Sequence, residues 1–164
     1  MKDVYTLDDL ASRSRLDEGA EQPARLAVLG SPVAHSLSPQ LHQAALDETG
    51  TGGRYIRLEV PAGEVAGTLD RLQELEFIGA NITVPHKFEA LSAADEVDGA
   101  AAMLGAVNTI LFERGRKLAF NTDGPGFVRA IHEEFLVDVK DLRIMVVGAG
   151  GGAGQAIAAQ CARE

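Results

Sequence analysis

The chain has 164 residues, 46% hydrophobic, with 15 Lys and Arg against 24 Asp and Glu and a formal net charge of −9. That length suits one well-filled core or one domain plus part of another, and an acidic balance without a basic stripe argues against nucleic acid or an anionic membrane as the main partner. No apolar run approaches the ~20 residues that span a bilayer, residues 1–20 are charged throughout instead of carrying a signal-peptide core, and Cys161 is alone, which rules out an intramolecular disulfide; the chain reads as cytoplasmic.

Residues 1–24 mix Asp, Glu, Arg and Ser with a weak helical pattern from Val4 to Leu10 and read as an N-terminal extension. Leu26 to Gly30 reads as a short buried strand stopped by Gly30 and Pro32. Pro39 to Glu48 then places Leu41, Ala44, Ala45 and Leu46 at helical spacing, with Pro39 in the first turn and Ser38 placed to cap it. Arg54 to Val60 alternates as a second strand, and Gly63 to Leu75 puts Val65, Leu69, Leu72 and Leu75 on one helical face. Gly79 to Val84 is the third strand, followed by helices over His86 to Ala94 and Asp98 to Leu104. Val107 to Phe112 and Lys117 to Phe120 flank Glu113-Arg-Gly-Arg116, a hairpin signal that makes the sheet mixed. A helix follows from Phe127 to Phe135, and the run Ile144 to Val147 is expected to be a buried strand opening a new domain.

The fold class is therefore α/β: a mixed-sheet three-layer substrate domain followed by the first βα unit of an incomplete Rossmann domain. The expected division is 1–24 as extension, 25–124 as the substrate-binding catalytic domain, and 125–164 as linker helix and truncated start of a dinucleotide-binding domain. One strand and one helix cannot bury their apolar faces alone, so the chain reads as a fragment of a longer enzyme.

Gly148, Gly150 and Ala153 match G-x-G-x-x-G/A between the expected strand and an alanine-rich helix. Glycines there permit a tight turn and let backbone approach a pyrophosphate, with the helix N-terminus facing the phosphates. A turn that only packs is the competing reading. The ribose-reading position would lie about 20 residues further on, so these residues do not decide between NAD and NADP.

Asn81-Ile-Thr-Val-Pro-His-Lys87 ends a β-branched run on a proline that removes an N–H and pushes Val84 toward extended geometry, leaving Lys87 just beyond a strand end. Loops at strand ends carry chemistry on rigid supports, and Lys87 is the expected catalytic residue. Ser36 and Ser38 stand two apart at a helix entrance, where an extended turn would aim both hydroxyls at one carboxylate; ordinary capping by Ser38 competes. Thr83, Asn108, Thr122 and Asp123 also fall near strand ends, and with Lys87 they suit a compact polyhydroxylated acid. Each alone has a bland reading as a turn or strand residue. No His, Cys and carboxylate grouping has the spacing of a metal site, and none is expected. His86 is expected to be buried or at the surface rather than catalytic.

Taken in order, Gly30-Ser-Pro-Val-Ala-His-Ser-Leu-Ser-Pro39, Asn81-Ile-Thr-Val-Pro-His-Lys87, Gly105-Ala-Val-Asn-Thr109, Asn121-Thr-Asp-Gly124 and Gly148-Ala-Gly-Gly151 closely resemble the motif set of the shikimate dehydrogenase family, over roughly residues 25–155. The resemblance implies NADP-dependent interconversion of 3-dehydroshikimate and shikimate in aromatic amino-acid biosynthesis. By position it implies that Ser36 and Ser38 hold the substrate carboxylate, that Thr83, Asn108 and Asp123 hold the ring hydroxyls, and that Lys87 and Asp123 form the acid–base pair. Gly148, Ala149, Gly150, Gly151 and Gly152 would turn beneath the cofactor pyrophosphate. The family's remaining nucleotide domain has no counterpart in these residues, and Gly152 makes the turn one residue longer than the family's pattern. Quinate as substrate, a non-catalytic substrate-binding module and a homodimer remain alternatives. A lysine is ordinarily charged at neutral pH, so Lys87 is expected to donate a proton in reduction, while oxidation, which needs the neutral amine, should quicken at alkaline pH.

Overall fold

The computed structural model describes residues 2–164. A 3₁₀ turn, Leu7–Ala11, and a short helix α1, Arg13–Leu16, precede β1, Ala24–Gly30; then come α2, Ser38–Thr49, β2, Arg54–Glu59, α3, Val65–Glu74, and β3, Gly79–Ile82. The second half holds α4, Glu89–Ser92, β4, Glu96–Val97, α5, Gly99–Leu104, the hairpin β5, Thr109–Glu113, and β6, Arg116–Phe120, and the helices α6, Asp123–Phe135, and α7, Gly152–Cys161.

The strands form one six-stranded sheet in the order β2-β1-β3-β5-β6-β4. β1 runs parallel to β2 and β3, while β3–β5 and β5–β6 are antiparallel, so the sheet is mixed. Period-two alternation in the strands separates two apolar layers. Ala27 and Leu29 of β1 and Ile56 and Leu58 of β2 face Val65, Leu69 and Leu72 of α3 in the main core. Val28 and Tyr55 turn the other way and pack with Val33, from the turn after β1, and with Leu46 of α2.

The first residues belong to this core. Tyr5, Leu10 and Leu16 are buried in it, and Tyr5 bridges to Leu58 along the outer edge of β2, its N–H donating to the Arg57 carbonyl at 2.9 Å. Asp9 accepts the Thr6 N–H at 2.9 Å as half of a capping box.

The hairpin forms around Arg114 and Gly115, both at positive φ, whereas three expected features differ. The helix expected over 86–94 contracts to α4, because Lys87 and its neighbours are held in the turn leaving β3. Helix α2 starts at Ser38 with Leu37 in the cap position, so Ser38 is not its cap. The run Ile144 to Val147 forms no strand: Met145 and Val147 are 89% and 90% exposed. A strand takes its hydrogen bonds from a neighbour, and none lies beside this segment among the described residues.

Candidate active site

The chain leaving β3 is pinned on both sides of Lys87. The Thr83 N–H donates to the Leu29 carbonyl at 2.9 Å and the Val107 N–H donates to the Lys87 carbonyl at 2.8 Å. His86, fully buried, sits with Nε2 2.8 Å from the Val60 carbonyl, tying the turn to the core. The Lys87 backbone therefore has one direction, and its ammonium lies 2.5 Å from Asp123 Oδ2.

Asp123 opens α6, where a carboxylate is favoured by the unpaired N–H groups of the first turn. Its own N–H donates to Asn121 Oδ1 at 3.0 Å, and Asn121 Nδ2 donates to the Ala106 carbonyl at 2.9 Å. The second carboxylate oxygen accepts from Asn108 Nδ2 at 2.8 Å. Asn108 Oδ1 in turn accepts from the Thr122 N–H at 3.0 Å and the Thr109 hydroxyl at 2.9 Å. The Lys87 and Asp123 side chains are 12% and 22% exposed, sheltered enough to differ from a solvated surface pair yet open to a ligand. Chemically this is a proton donor and a proton acceptor in contact, with the acceptor held by a neutral amide.

A line of hydrogen bonds runs from this pair toward the serine turn. Asn81 Nδ2 reaches Thr109 Oγ1 at 3.2 Å, and Asn81 Oδ1 accepts from the Tyr55 hydroxyl at 2.7 Å. Ser38 stands near the Tyr55 oxygen and acts on its ionisation. Burial pushes the Tyr55 phenol well above its ordinary pKa, with Ser38 acting the other way, so it stays a neutral donor. Ser36 Oγ accepts the Ser38 N–H at 3.3 Å. Thr83 borders the same turn: a Cβ on Gly30 would lie 2.6 Å from Thr83 Cγ2, so only glycine lets β1 pass this close. Ser36, Ser38, Thr83, Lys87, Asn108 and Asp123 thus lie along one rim at the strand ends.

Tyr55 and Asn81 join that rim without having been singled out in the sequence. The signal was the alternation in β2, where Tyr55 and Arg57 interrupt the core-facing Ile56 and Leu58 with polar-tipped side chains. A hollow of about 630 Å³ near the β2 edge is lined by Tyr5, Gln40, Gln43, Arg54, Tyr55 and Arg57, among others, and not by Lys87 or Asp123. Its cations are paired, Arg54 and Arg57 with Asp17 and Asp3 and Lys2 with Asp9.

The glycine turn reaches the same rim. Gly148 has φ +86°, Gly151 caps α7, and a Cβ on Gly154 would lie 2.2 Å from the Gly148 carbonyl oxygen. The tight helix-to-turn packing therefore falls on Gly154 rather than Ala153, one position later than the G-x-G-x-x-G/A register and consistent with the longer turn. α7 packs on α6, where a Cβ on Gly124 would lie 2.9 Å from Gln160 Cβ. A Cβ on Gly152 would lie 3.0 Å from Lys87 Cδ, so the start of α7 stands beside the catalytic candidate. The free N–H groups of the first helical turn and the side-chain-free turn fit a pyrophosphate, although the preceding strand of the usual unit is not formed. No cluster of His, Cys, Asp and Glu could hold a metal among the described residues, nor is any helix among them long and apolar enough to cross a membrane.

Comparison with known proteins adds relatives to this geometry. The family model described as "Shikimate dehydrogenase substrate binding domain" matches residues 28–110. The shikimate dehydrogenase (NADP(+)) of Methanopyrus kandleri is 41% identical over 128 residues, covering 78% of this chain and 44% of that protein. A crystal structure of a shikimate dehydrogenase in complex with NADP+ superposes with TM-score 0.81 at 39% identity, covering 85% of this chain and 48% of the other. The Thermus thermophilus enzyme, crystallised with NADP(H) and shikimate, gives TM-score 0.78 at 42% identity and the same 85% coverage, against 52% of its own chain. The chain spans about half the length of these relatives.

Proposed function

The chain belongs to the shikimate dehydrogenase substrate-binding domain family, and from that premise we propose that it binds shikimate and 3-dehydroshikimate and, with NADP, serves their interconversion in the cytoplasm. Ser36 and Ser38 hold the ligand carboxylate at the start of α2. Thr83, Asn108 and Asp123 meet the ring hydroxyls. The unit that does this runs to about Gly124 and includes the packed residues 5–16, and residues 125–164 begin the cofactor side. Gly148, Ala149, Gly150, Gly151 and Gly152 would hold the cofactor pyrophosphate.

A bound NADPH, held at the glycine turn from Gly148 to Gly152, would supply the hydride for reduction of the ketone carbon. The Lys87 ammonium hydrogen-bonds the ketone oxygen, stabilises the negative charge that grows there, and delivers the proton that makes the alcohol. Asp123 holds the ammonium in place and afterwards faces the neutral amine while Lys87 regains its proton from solvent. Oxidation runs the same steps backward, with Lys87 accepting the proton of the alcohol.

The observation that carries this reading is the 2.5 Å contact between Lys87 and an Asp123 carboxylate that Asn108 also holds. Isothermal titration of the 164-residue chain with shikimate, and separately with NADPH, tests it. Shikimate should bind, and K87M should weaken it at least about tenfold, the order of 1.4 kcal/mol. A chain that ignores millimolar shikimate would refute the proposal.

A further inference from the structure

We propose that Arg57 is a positioning residue for recognition of the ligand carboxylate, acting through Ser36; the inference rests on the substrate reading above. Arg57 lies in β2 between the core residues Ile56 and Leu58, and its residue is 8% exposed. A guanidinium taken out of water is costly unless every face of its fork is bonded, and an apolar side chain would fill such a place with less penalty. Here the fork is engaged by three acceptors from two stretches of chain. Nε donates to the Ser36 carbonyl at 2.8 Å, Nη2 to Gln40 Oε1 at 3.0 Å, and Nη1 to Asp3 Oδ1 at 2.7 Å.

The arrangement is asymmetric. Asp3, the anionic partner, is 78% exposed on the solvent side, while the inner edge of the fork meets a neutral carbonyl and a neutral amide. Bonding the Ser36 carbonyl fixes the peptide that links Ser36 to Leu37, and with it the direction of the Ser36 hydroxyl and of the N–H groups entering α2. Gln40 is one turn into that helix, so a single side chain holds the turn and the helix start in register. A carboxylate placed at Ser36 and Ser38 would also feel a cation one residue away, only partly offset by a partner in high-dielectric surroundings.

The clamp reaches beyond the stretch that the family model matches, which begins at residue 28. The segment carrying Asp3 is laid along β2 by backbone bonds from Tyr5 to Arg57 and from Glu59 to Tyr5, at 2.9 and 2.8 Å. The first residues of this chain thereby act on carboxylate recognition without touching the ligand.

The test is calorimetric titration of wild-type chain, R57M and R57K with shikimate and with shikimate methyl ester, whose carboxylate is masked. R57M should lose about tenfold in affinity for the acid and less than twofold for the ester, with R57K between, since lysine keeps the charge but not the planar fork that meets all three acceptors. Equal losses for acid and ester would mean a merely structural role and overturn the proposal, as would an R57M that binds the acid like wild type. If R57M does not fold, R57K decides by the same acid-to-ester comparison. A wild-type chain that binds neither ligand would overturn the substrate reading, and this inference with it.

Discussion

Asn108 is the residue whose removal should cost most at the site, because it joins the hairpin to α6. Its side chain serves Asp123 Oδ1, the Thr122 N–H, the Thr122 hydroxyl and the Thr109 hydroxyl, and it is 9% exposed. Each such bond contributes about 0.5–1.5 kcal/mol net, and an orphaned buried donor costs about 1–3 kcal/mol. Asn108→Ala leaves the Thr122 N–H without its acceptor, so the loss should be about 2–4 kcal/mol, a fall of about 4–16 °C in Tm for a chain of this size. Urea unfolding at unchanged m-value is the assay. Asn108→Asp keeps the shape but sets a second carboxylate against Asp123, so one of the two must take up a proton. That carboxyl then binds its proton more tightly folded than unfolded. The deficit of N108D should be full near pH 7 and shrink as pH falls toward the unfolded value of about 3.9. An N108A variant within about 0.5 kcal/mol of wild type, or an N108D deficit that grows in acid, would refute the reasoning.

Other outcomes follow from single contacts. For Asp9, burial pushes the carboxyl pKa up, but bonds from Lys2 and Thr6 outweigh it and hold the value below the ordinary one. Its stabilising effect is present above about pH 4 and lost as pH falls through the folded value, so D9N should be about 1–2 kcal/mol less stable at pH 6 and converge on wild type in an acid titration. Tyr55→Phe leaves Asn81 Oδ1 without its donor and should cost about 1–3 kcal/mol in denaturant melts, together with a loss of shikimate affinity. Gly79→Ala would place a Cβ 2.5 Å from the Ile110 carbonyl oxygen; backbone cannot yield there, and a loss of about 3 kcal/mol or more is expected by thermal unfolding.

Much of this was legible in the sequence because the relevant patterns are local. Val65, Leu69 and Leu72 repeat at helical spacing, and Arg114-Gly115 mark a turn, so α3 and the hairpin could be read directly. Lys87 and Asp123 were legible as strand-end polar residues, although their contact spans 36 positions of chain and depends on β3, β5 and β6 lying side by side. Ile144 to Val147 misled because apolar composition marks burial, whereas a strand also needs a neighbour. Tyr5, Leu10 and Leu16 were missed because their spacing has no period; the edge of β2 and the floor of the core bury them. Tyr55 and Arg57 were hidden by being polar-tipped residues in a strand whose other face is core.

The most direct test of the Lys87–Asp123 pair is the ammonium resonance of Lys87 in ¹⁵N-labelled chain, observed at low temperature with and without shikimate. The signal should be protected from solvent exchange, move when shikimate is added and broaden away in D123N. A Lys87 signal that exchanges like those of surface lysines, and does not respond to shikimate, would contradict the pairing.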